Sequence, residues 1–380
     1  ESKLWGCLIP CSPSVQRIDL FHRRYEYTVG RHPDRSDRIL ASVKISRTHC
    51  KLSWDGESTF VTVTDLSSTG TFINGEKVGG RGKQDILCQG DEISFGSPIV
   101  GSNPAEDYRF VYRHLADGPP QEGLFAHYEL VEELGKGSFS KVMKALHKET
   151  GRWFAVKMIK RKTMRSLPTE LTIGKLSHRN ICRLKETYID ESSMNLVLEF
   201  VQGGDLLHLI SAKNGLEERE AQHISRQLFG ALSFMHKRDI AHFDLKPENV
   251  LVTLNEPPVV RITDFSTALL VAPSIAAKVL WSMPSYLAPE IIAGKGYGVA
   301  VDNYAAGIIV FSMITNTRPF QDPLNRDRSA NWSALVARDL STAGQEFIRS
   351  LMEKEPSNRM TSQAALGHRW LEELPTFEQQ

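Results

Sequence analysis

The sequence predicts a multidomain chain, all-β over its first third and mixed α and β beyond. Three observations carry that reading. Phe60-Val-Thr-Val-Thr64 alternates with period two, and Thr71-Phe-Ile73 runs into Asn74-Gly75, a dipeptide favoured in tight hairpins. Asp117-Gly-Pro-Pro-Gln-Glu-Gly123 is a polar, turn-rich break. Past it come short apolar strands, Phe154-Ala-Val-Lys157 and Leu196-Val-Leu198, and a length of 380 residues suits roughly two or three domains. The β-rich domain is expected over residues 1–115, with Tyr108-Arg-Phe-Val-Tyr112 as its last strand. A linker follows over 116–127, then a second domain over 128–371, opened by Tyr128-Glu-Leu130 and ended near Trp370-Leu371, and a tail over 372–380. So short a linker makes the two domains touch or restrict each other's orientation.

Composition narrows the functional classes. Forty-six basic against 45 acidic residues leave a net charge of +1, with no general drive toward nucleic acid or membrane, so neither is expected as a direct partner. The basic run Lys157 to Arg165 reads as a solvated face, with a nuclear-import signal as the lesser alternative. Cys7, Cys11, Cys50, Cys88 and Cys182 are odd in number and form no Cys-x-x-Cys pair, which points to a reducing compartment rather than a disulfide or zinc framework. No apolar run reaches the roughly eighteen residues of a membrane helix. The chain begins at Glu1 rather than methionine, so a fragment of a longer protein is expected.

In the first third, Tyr27-Thr-Val-Gly30-Arg31, Ile45-Ser46-Arg47-Thr48-His49, Asp65-Leu-Ser-Ser-Thr-Gly-Thr-Phe-Ile-Asn74-Gly75 and Asp91-Glu-Ile-Ser-Phe-Gly96 follow in order. The set resembles the forkhead-associated (FHA) domain, a β-sandwich whose loops bind phosphothreonine peptides. Arg31 offers a planar fork of donors to a phosphate, Ser46 a short hydroxyl bond, and Arg47 added charge. By resemblance His49 braces the loop. Thr69 stands where most relatives have a peptide-orienting asparagine, a role that Ser68 or Thr69 would have to fill in part. Asn74 and Gly75 read as a hairpin turn rather than ligand contacts.

The larger domain carries a second ordered set. Leu134-Gly-Lys-Gly-Ser-Phe-Ser-Lys-Val142 places glycines where backbone amides can approach a polyphosphate closely. Lys157 ends its apolar strand fifteen residues past Val142. His242-Phe-Asp-Leu-Lys-Pro-Glu-Asn249 is followed, fifteen residues after Asn249, by Asp264-Phe265-Ser266, and Ala288-Pro-Glu290 comes later. Together these resemble the eukaryotic protein kinases, which implies an α+β bilobal fold, ATP and Mg2+. By that resemblance Asp244 accepts or orients the substrate hydroxyl proton, Lys246 sits near the γ-phosphate, and Asn249 with Asp264 holds magnesium. Lys157 pairs with the α/β-phosphates and Glu170 holds Lys157, the alternative being an exposed helix glutamate. Leu134, Gly135, Gly137, Val142 and Ala155 line the nucleotide, backbone groups of Glu199 and Val201 face the adenine, and Asp205 reaches the ribose. Asp302, Gly307 and a buried Glu290–Arg359 pair belong to the framework.

Departures from the family pattern bear on activity. Phe243 replaces the arginine that gathers an activation-loop phosphate, Ser266 the glycine of the magnesium-binding turn, and Ser140 the third loop glycine. Met283 stands for a threonine near the catalytic aspartate, and Tyr304 and Ala305 for the usual tryptophan and serine. None of these removes a catalytic functional group.

An FHA domain directly before a kinase domain is similar to the checkpoint effector kinases. That resemblance implies a serine/threonine kinase recruited through phosphothreonine recognition in DNA-damage or meiotic signalling. Its partners would be phosphothreonine proteins, Ser/Thr substrates and a second copy of the chain; its site would be the nucleus, with the cytoplasm also open. Lys246-Pro-Glu248 fits the serine/threonine branch. The alternative left open is a phosphopeptide-binding scaffold whose kinase domain is catalytically weak or inactive.

Overall fold

Strands of two to seven residues, separated by turn residues, build a sandwich from the first third of the chain. They are β1 (Leu4–Pro10), β2 (Ile18–Phe21), β3 (Glu26–Gly30), β4 (Arg38–Ile39), β5 (Cys50–Ser53), β6 (Val61–Asp65), β7 (Thr71–Ile73), β8 (Glu76–Lys77), β9 (Gln84–Leu87), β10 (Glu92–Phe95) and β11 (Arg109–His114). One sheet has the order β2-β1-β11-β10-β7-β8 and the other β4-β3-β5-β6-β9. Trp5 stacks on Trp54 with ring centroids 5.5 Å apart, and Leu8, Leu52, Val61 and Phe110 fill the space between the sheets. Each such side chain contributes roughly 1.5–3 kcal/mol by leaving water. Between β7 and β8, Asn74 (φ 55) and Gly75 (φ 86) form the two-residue turn the sequence predicts, with Ile73 paired to Glu76. Both residues sit at positive φ, the requirement that favours Asn-Gly there.

The computed structural model describes residues 3–99, 103–116, 122–137, 140–160, 176–190, 193–270, 284–295, 298–320 and 330–372. Compactness divides the chain into Glu1–Arg165 with Lys185–Phe200, and Ser166–Leu184 with Val201–Gln380. The first unit therefore holds both the sandwich and a third sheet. That sheet comprises β12 (Tyr128–Lys136), β13 (Ser140–His147), β14 (Trp153–Lys160), β15 (Leu184–Ile189) and β16 (Ser193–Glu199), in the order β12-β13-β14-β16-β15.

Strands β1 and β11 are buried throughout apart from partly covered Leu4. Alternation explains how: Leu8, Phe110 and Tyr112 point into the sandwich core, while Cys7, Ile9, Cys11 and Val111 turn to the other side. There they meet Leu130, Met143, Ala145, Val156, Met158 and Val197 of the third sheet. Leu124 and Phe125, in the short helix Leu124–His127, join the same cluster, so the end of the sequence-defined linker is core material.

The second unit is mostly helical. Helix Ala300–Thr315 is buried at every residue after the first, which accounts for its apolar sequence all round. Gly307 lets the chain at Leu351 approach: a Cβ there would lie 2.9 Å from Leu351 Cβ. Helix Glu218–His236 packs one face into the same core and keeps a polar one outside. Glu290 and Arg359 form the framework pair, at 2.7 and 2.9 Å with both residues buried. Two short antiparallel ladders, Val250–Val252 with Val260–Ile262 and Ile240–Ala241 with Leu269–Leu270, frame the loop that follows Ala241. Among the described residues no helix is long and apolar enough to cross a membrane.

Candidate functional site

In the sandwich, the loops after β3, before β5 and after β6 converge. Arg31 N–H donates to Ser46 O (3.0 Å) and His32 N–H to Arg47 O (3.2 Å), which ties the first two loops together. Gly30 permits this closeness, because a Cβ would fall 2.4 Å from Arg47 O. Ser46 Oγ accepts from Ser68 N–H at 3.1 Å and lies 3.3 Å from Ser68 Oγ, joining the third loop. Arg31, Arg47, Ser68 and Thr69 are exposed and Ser46 partly so. Thus the fold gathers two guanidinium-bearing residues and two hydroxyls on neighbouring loops, a suitable donor set for a phosphate.

His49 holds these loops from beneath. It is fully buried; Nδ1 accepts from Ser46 N–H (3.1 Å) and Nε2 faces Gly70 O (3.0 Å). That pattern requires the neutral tautomer with the proton on Nε2. Burial is the main influence on its pKa and moves it below the ordinary value, outweighing the Gly70 carbonyl and Asp65, which act the other way. Thr69 donates its hydroxyl to Lys44 O at 2.9 Å, so its hydrogen is spent inside the protein and its oxygen remains for a peptide. Sequence reasoning did not single out Asp65 for the loop, although its Oδ1 accepts from Ser67 N–H, Ser67 Oγ and Thr71 Oγ1 at 2.7–3.0 Å.

In the third sheet, Val142 pairs with Lys157 and Ala155 with Leu198, while Phe154 pairs with Glu199. Lys157 is buried at 6 % exposure, too deep for an ordinary surface lysine. Gly135 pairs with Val142, and Gly137 N–H donates to Ser140 O (2.8 Å), closing the glycine-rich turn. Leu134 at this turn is 45 % exposed. Glu170 and Met283 lie outside the described residues.

In the second unit, the segment from His242 to Asn249 is built on a buried carboxylate. Asp302 accepts from His242 N–H (2.8 Å), Phe243 N–H (3.0 Å) and His236 Nε2 (3.0 Å). Burial alone would raise its pKa; the hydrogen bonds and charges of His236 and His242 prevail and hold it low. The family resemblance had placed Asp302 in the framework, without naming the groups it would hold. On this base the backbone turns through Phe243 (φ 65), whose ring is buried near Tyr286, Ala288 and Ala305. Apolar packing thus occupies the position where the family keeps a cation.

Asp244 then meets two other residues of the expected catalytic set. Lys246 Nζ lies 2.7 Å from Asp244 Oδ2, and Asn249 Nδ2 donates to Asp244 O (2.7 Å) and Oδ2 (3.2 Å). Thr263 N–H donates to Asn249 O (2.9 Å) and Thr263 O faces His242 Nε2 (2.9 Å), which sets Asp264 next to the same loop. Asp264 itself carries the left-handed conformation (φ 60, ψ 70), and its Oδ1 accepts from Ser266 Oγ at 2.7 Å. Ser266 is not at positive φ, so the glycine freedom expected at that position is not needed here. Asp205 caps helix Leu206–Lys213, accepting from His208 N–H (2.8 Å); that bond is local, and Val201 is buried nearby in sequence.

Comparison with known proteins places this geometry. A protein kinase domain model matches residues 128–371, and an FHA domain model matches residues 27–96. The chain belongs to the FHA-containing protein kinases. The kinase is 31 % identical to the serine/threonine-protein kinase RAD53 of Saccharomyces cerevisiae over 93 % of this chain and 50 % of that one. It is 30 % identical to the probable serine/threonine-protein kinase fhkC of Dictyostelium discoideum over 97 % of this chain and 65 % of the relative. It therefore spans about half to two thirds of the length of these relatives. A crystal structure of Rad53 1-466 in complex with AMP-PNP superposes with a TM-score of 0.58 at 31 % identity, covering 96 % of this chain and all of that one.

Proposed function

We propose that this kinase transfers the γ-phosphoryl group of ATP to serine or threonine hydroxyls of proteins. Phosphothreonine recognition by its FHA loops would recruit it within DNA-damage or meiotic checkpoint signalling in the nucleus, and a second copy of the chain is one partner such recognition admits. The observation that carries the catalytic part is Asp244, whose carboxylate is held by Lys246 and Asn249 on a loop anchored to buried Asp302. The comparison with a nucleotide-bound Rad53 structure supports ATP as the donor.

The residues present fit the expected cofactors. Asn249 and Asp264 offer the hard oxygen donors that Mg2+ prefers. When bound, Mg2+ would offset charge on the β- and γ-oxygens and help hold the phosphoryl group in line. Asp244 orients the attacking hydroxyl and takes up its proton, and Lys246 keeps that carboxylate in one rotamer. Lys157 supplies a buried cation for the phosphates. At the FHA loops, Arg31 and Arg47 supply charge and Ser46 a hydroxyl to the phosphothreonine.

Magnesium-dependent transfer from ATP to a basic Ser/Thr peptide tests the catalytic part. Asp244→Ala should reduce turnover by about 10²–10⁴-fold while nucleotide still binds. Nucleotide binding without turnover in the unchanged protein would favour the scaffold reading instead. For the recruitment part, Arg31→Ala should weaken phosphothreonine-peptide binding roughly ten- to hundredfold in calorimetry, the loss expected of a charge-assisted hydrogen bond; equal affinities would remove Arg31 from the phosphate site.

A further inference from the structure

Among the described residues, the arms of the glycine-rich hairpin next to its turn show little apolar anchorage. Leu134 is 45 % exposed, the register of β12 against β13 shifts between Glu133 and Gly135, and Gly137 N–H donates to Ser140 O across the turn. Its charged residues, by contrast, find their partners in the FHA sandwich. Lys136, between the two glycines, donates to Glu92 Oε1 (2.8 Å) and Pro98 O (3.2 Å). Lys141, opposite it across the hairpin, donates to Glu92 Oε2 (3.2 Å). Glu133 receives both ends of the Arg109 guanidinium, at 3.0 and 2.9 Å, and its N–H donates to Cys11 O (3.0 Å).

These groups form a closed set. Arg109 also makes a two-point bond with Asp107 (2.8 Å each), so three cations face three carboxylates, with Arg109 and Glu92 at 2 % and 4 % exposure. Cys11, Glu92 and Glu133 come close enough together to resemble a metal cluster. The three cations already neutralise that site, which argues against a metal. Glu92 is rigid in turn, since its backbone exchanges hydrogen bonds with Asn74 through Asn74 N–H to Glu92 O (2.7 Å) and Glu92 N–H to Asn74 Oδ1 (3.1 Å). Lys160, at the far end of β14, donates to Asn74 O at 2.8 Å.

We infer that Glu92 of the FHA domain is a positioning residue for the nucleotide-binding hairpin, acting through Lys136 and Lys141. The phosphopeptide-binding domain is then a built-in brace of the ATP site as well as an adaptor. The reading rests on the kinase function proposed above. A buried ion network suits the task because each partner is costly to displace once the others are fixed. The alternating faces of β13 separate the roles. Lys141, Met143 and Ala145 turn to the sandwich, and Val142 turns with Lys157 to the opposite side.

The test uses the full chain with Lys136→Met, Lys136→Arg, Glu92→Gln and the double variant Lys136→Met/Glu92→Gln. Without nucleotide, amide hydrogen exchange over residues 133–142 should rise at least several-fold in Lys136→Met and return toward the original rate in Lys136→Arg. Unchanged exchange would overturn the inference, whatever the protein's activity. With AMP-PNP as probe, Lys136→Met should raise Kd on the order of five-fold, and KM for ATP should rise more than kcat falls. Adding Lys136→Met to Glu92→Gln should produce less than the sum of the two single effects. Additive losses, or a Glu92→Gln protein that binds AMP-PNP as tightly as the original, would show Lys136 acting on nucleotide directly and sink the role given to Glu92. Should Glu92→Gln fail to fold, the exchange and affinity contrast between Lys136→Met and Lys136→Arg still decides. If the unchanged protein binds no AMP-PNP, the kinase reading falls and the nucleotide part of this inference with it, while the exchange result separately decides the brace.

Discussion

The two candidate sites are held up by different kinds of buried group. Beneath the FHA loops sits His49, neutral, with one ring nitrogen accepting and the other donating. Beneath the catalytic loop sits Asp302, an anion that satisfies two backbone N–H groups and one imidazole. A neutral brace is cheap to bury and gives two directed bonds. A charged one costs more to bury and organises three donors at once. The difference suits the loops above. The FHA loops need only be brought near one another, whereas the catalytic loop must turn through positive φ at Phe243 and hold Asp244 in one orientation.

The largest expected effect is on the anionic side. Asp302→Ala leaves the N–H groups of His242 and Phe243 buried without their acceptor, and should lower stability by roughly 3–5 kcal/mol. Calorimetric or denaturant unfolding checks this, and a loss below about 1 kcal/mol would show that the loop holds itself. His49→Ala should cost less, roughly 1–3 kcal/mol, with weaker phosphopeptide binding as Ser46 loosens. A larger loss than that of Asp302→Ala would reverse the comparison.

Acid should separate the two regions more gently. Both groups have folded pKa values below their ordinary ones, 6.5 for His49 and 3.8 for Asp302. The unfolded chain therefore binds each proton first, and the stability each contributes is present above the ordinary value and lost as pH falls below it. Amide-exchange protection around Ser46 and Gly70 should weaken from about pH 6.5 downward, but protection around His242 and Phe243 only below about pH 4. Loss of both over one pH range would mean that other groups govern acid sensitivity.

Much of this was legible in the sequence wherever local geometry imposes a residue. Asn74-Gly75 announces a turn because both positions need positive φ, and the observed φ values agree. The order of the kinase motifs foretold that Asp244, Lys246 and Asn249 would meet, because they share one short loop. What stayed hidden is of two kinds, local conformations that a motif does not specify and partners far apart in the chain. Ser266 was read as a constraint because the family keeps glycine there, yet the left-handed residue is Asp264. Asp205 was read for its ligand, and its visible bond is a helix cap, an ordinary use of aspartate before a helix. Arg109 and Glu133 are 24 positions apart and gave no periodic signal, and Leu124 and Phe125 followed so polar a stretch that they looked like its continuation.

Strand β11 sends Phe110 and Tyr112 into one core and Val111 into another. A strand shared in this way ties the packing of one domain to that of the other. An FHA domain transplanted from a protein that lacks a neighbouring sheet would arrive with a water-adapted outer face, and would leave Met143, Val156 and Met158 without their cover. Exchange of this domain between kinases should therefore succeed only when β1 and β11 are carried over together with the sheet surface they cover.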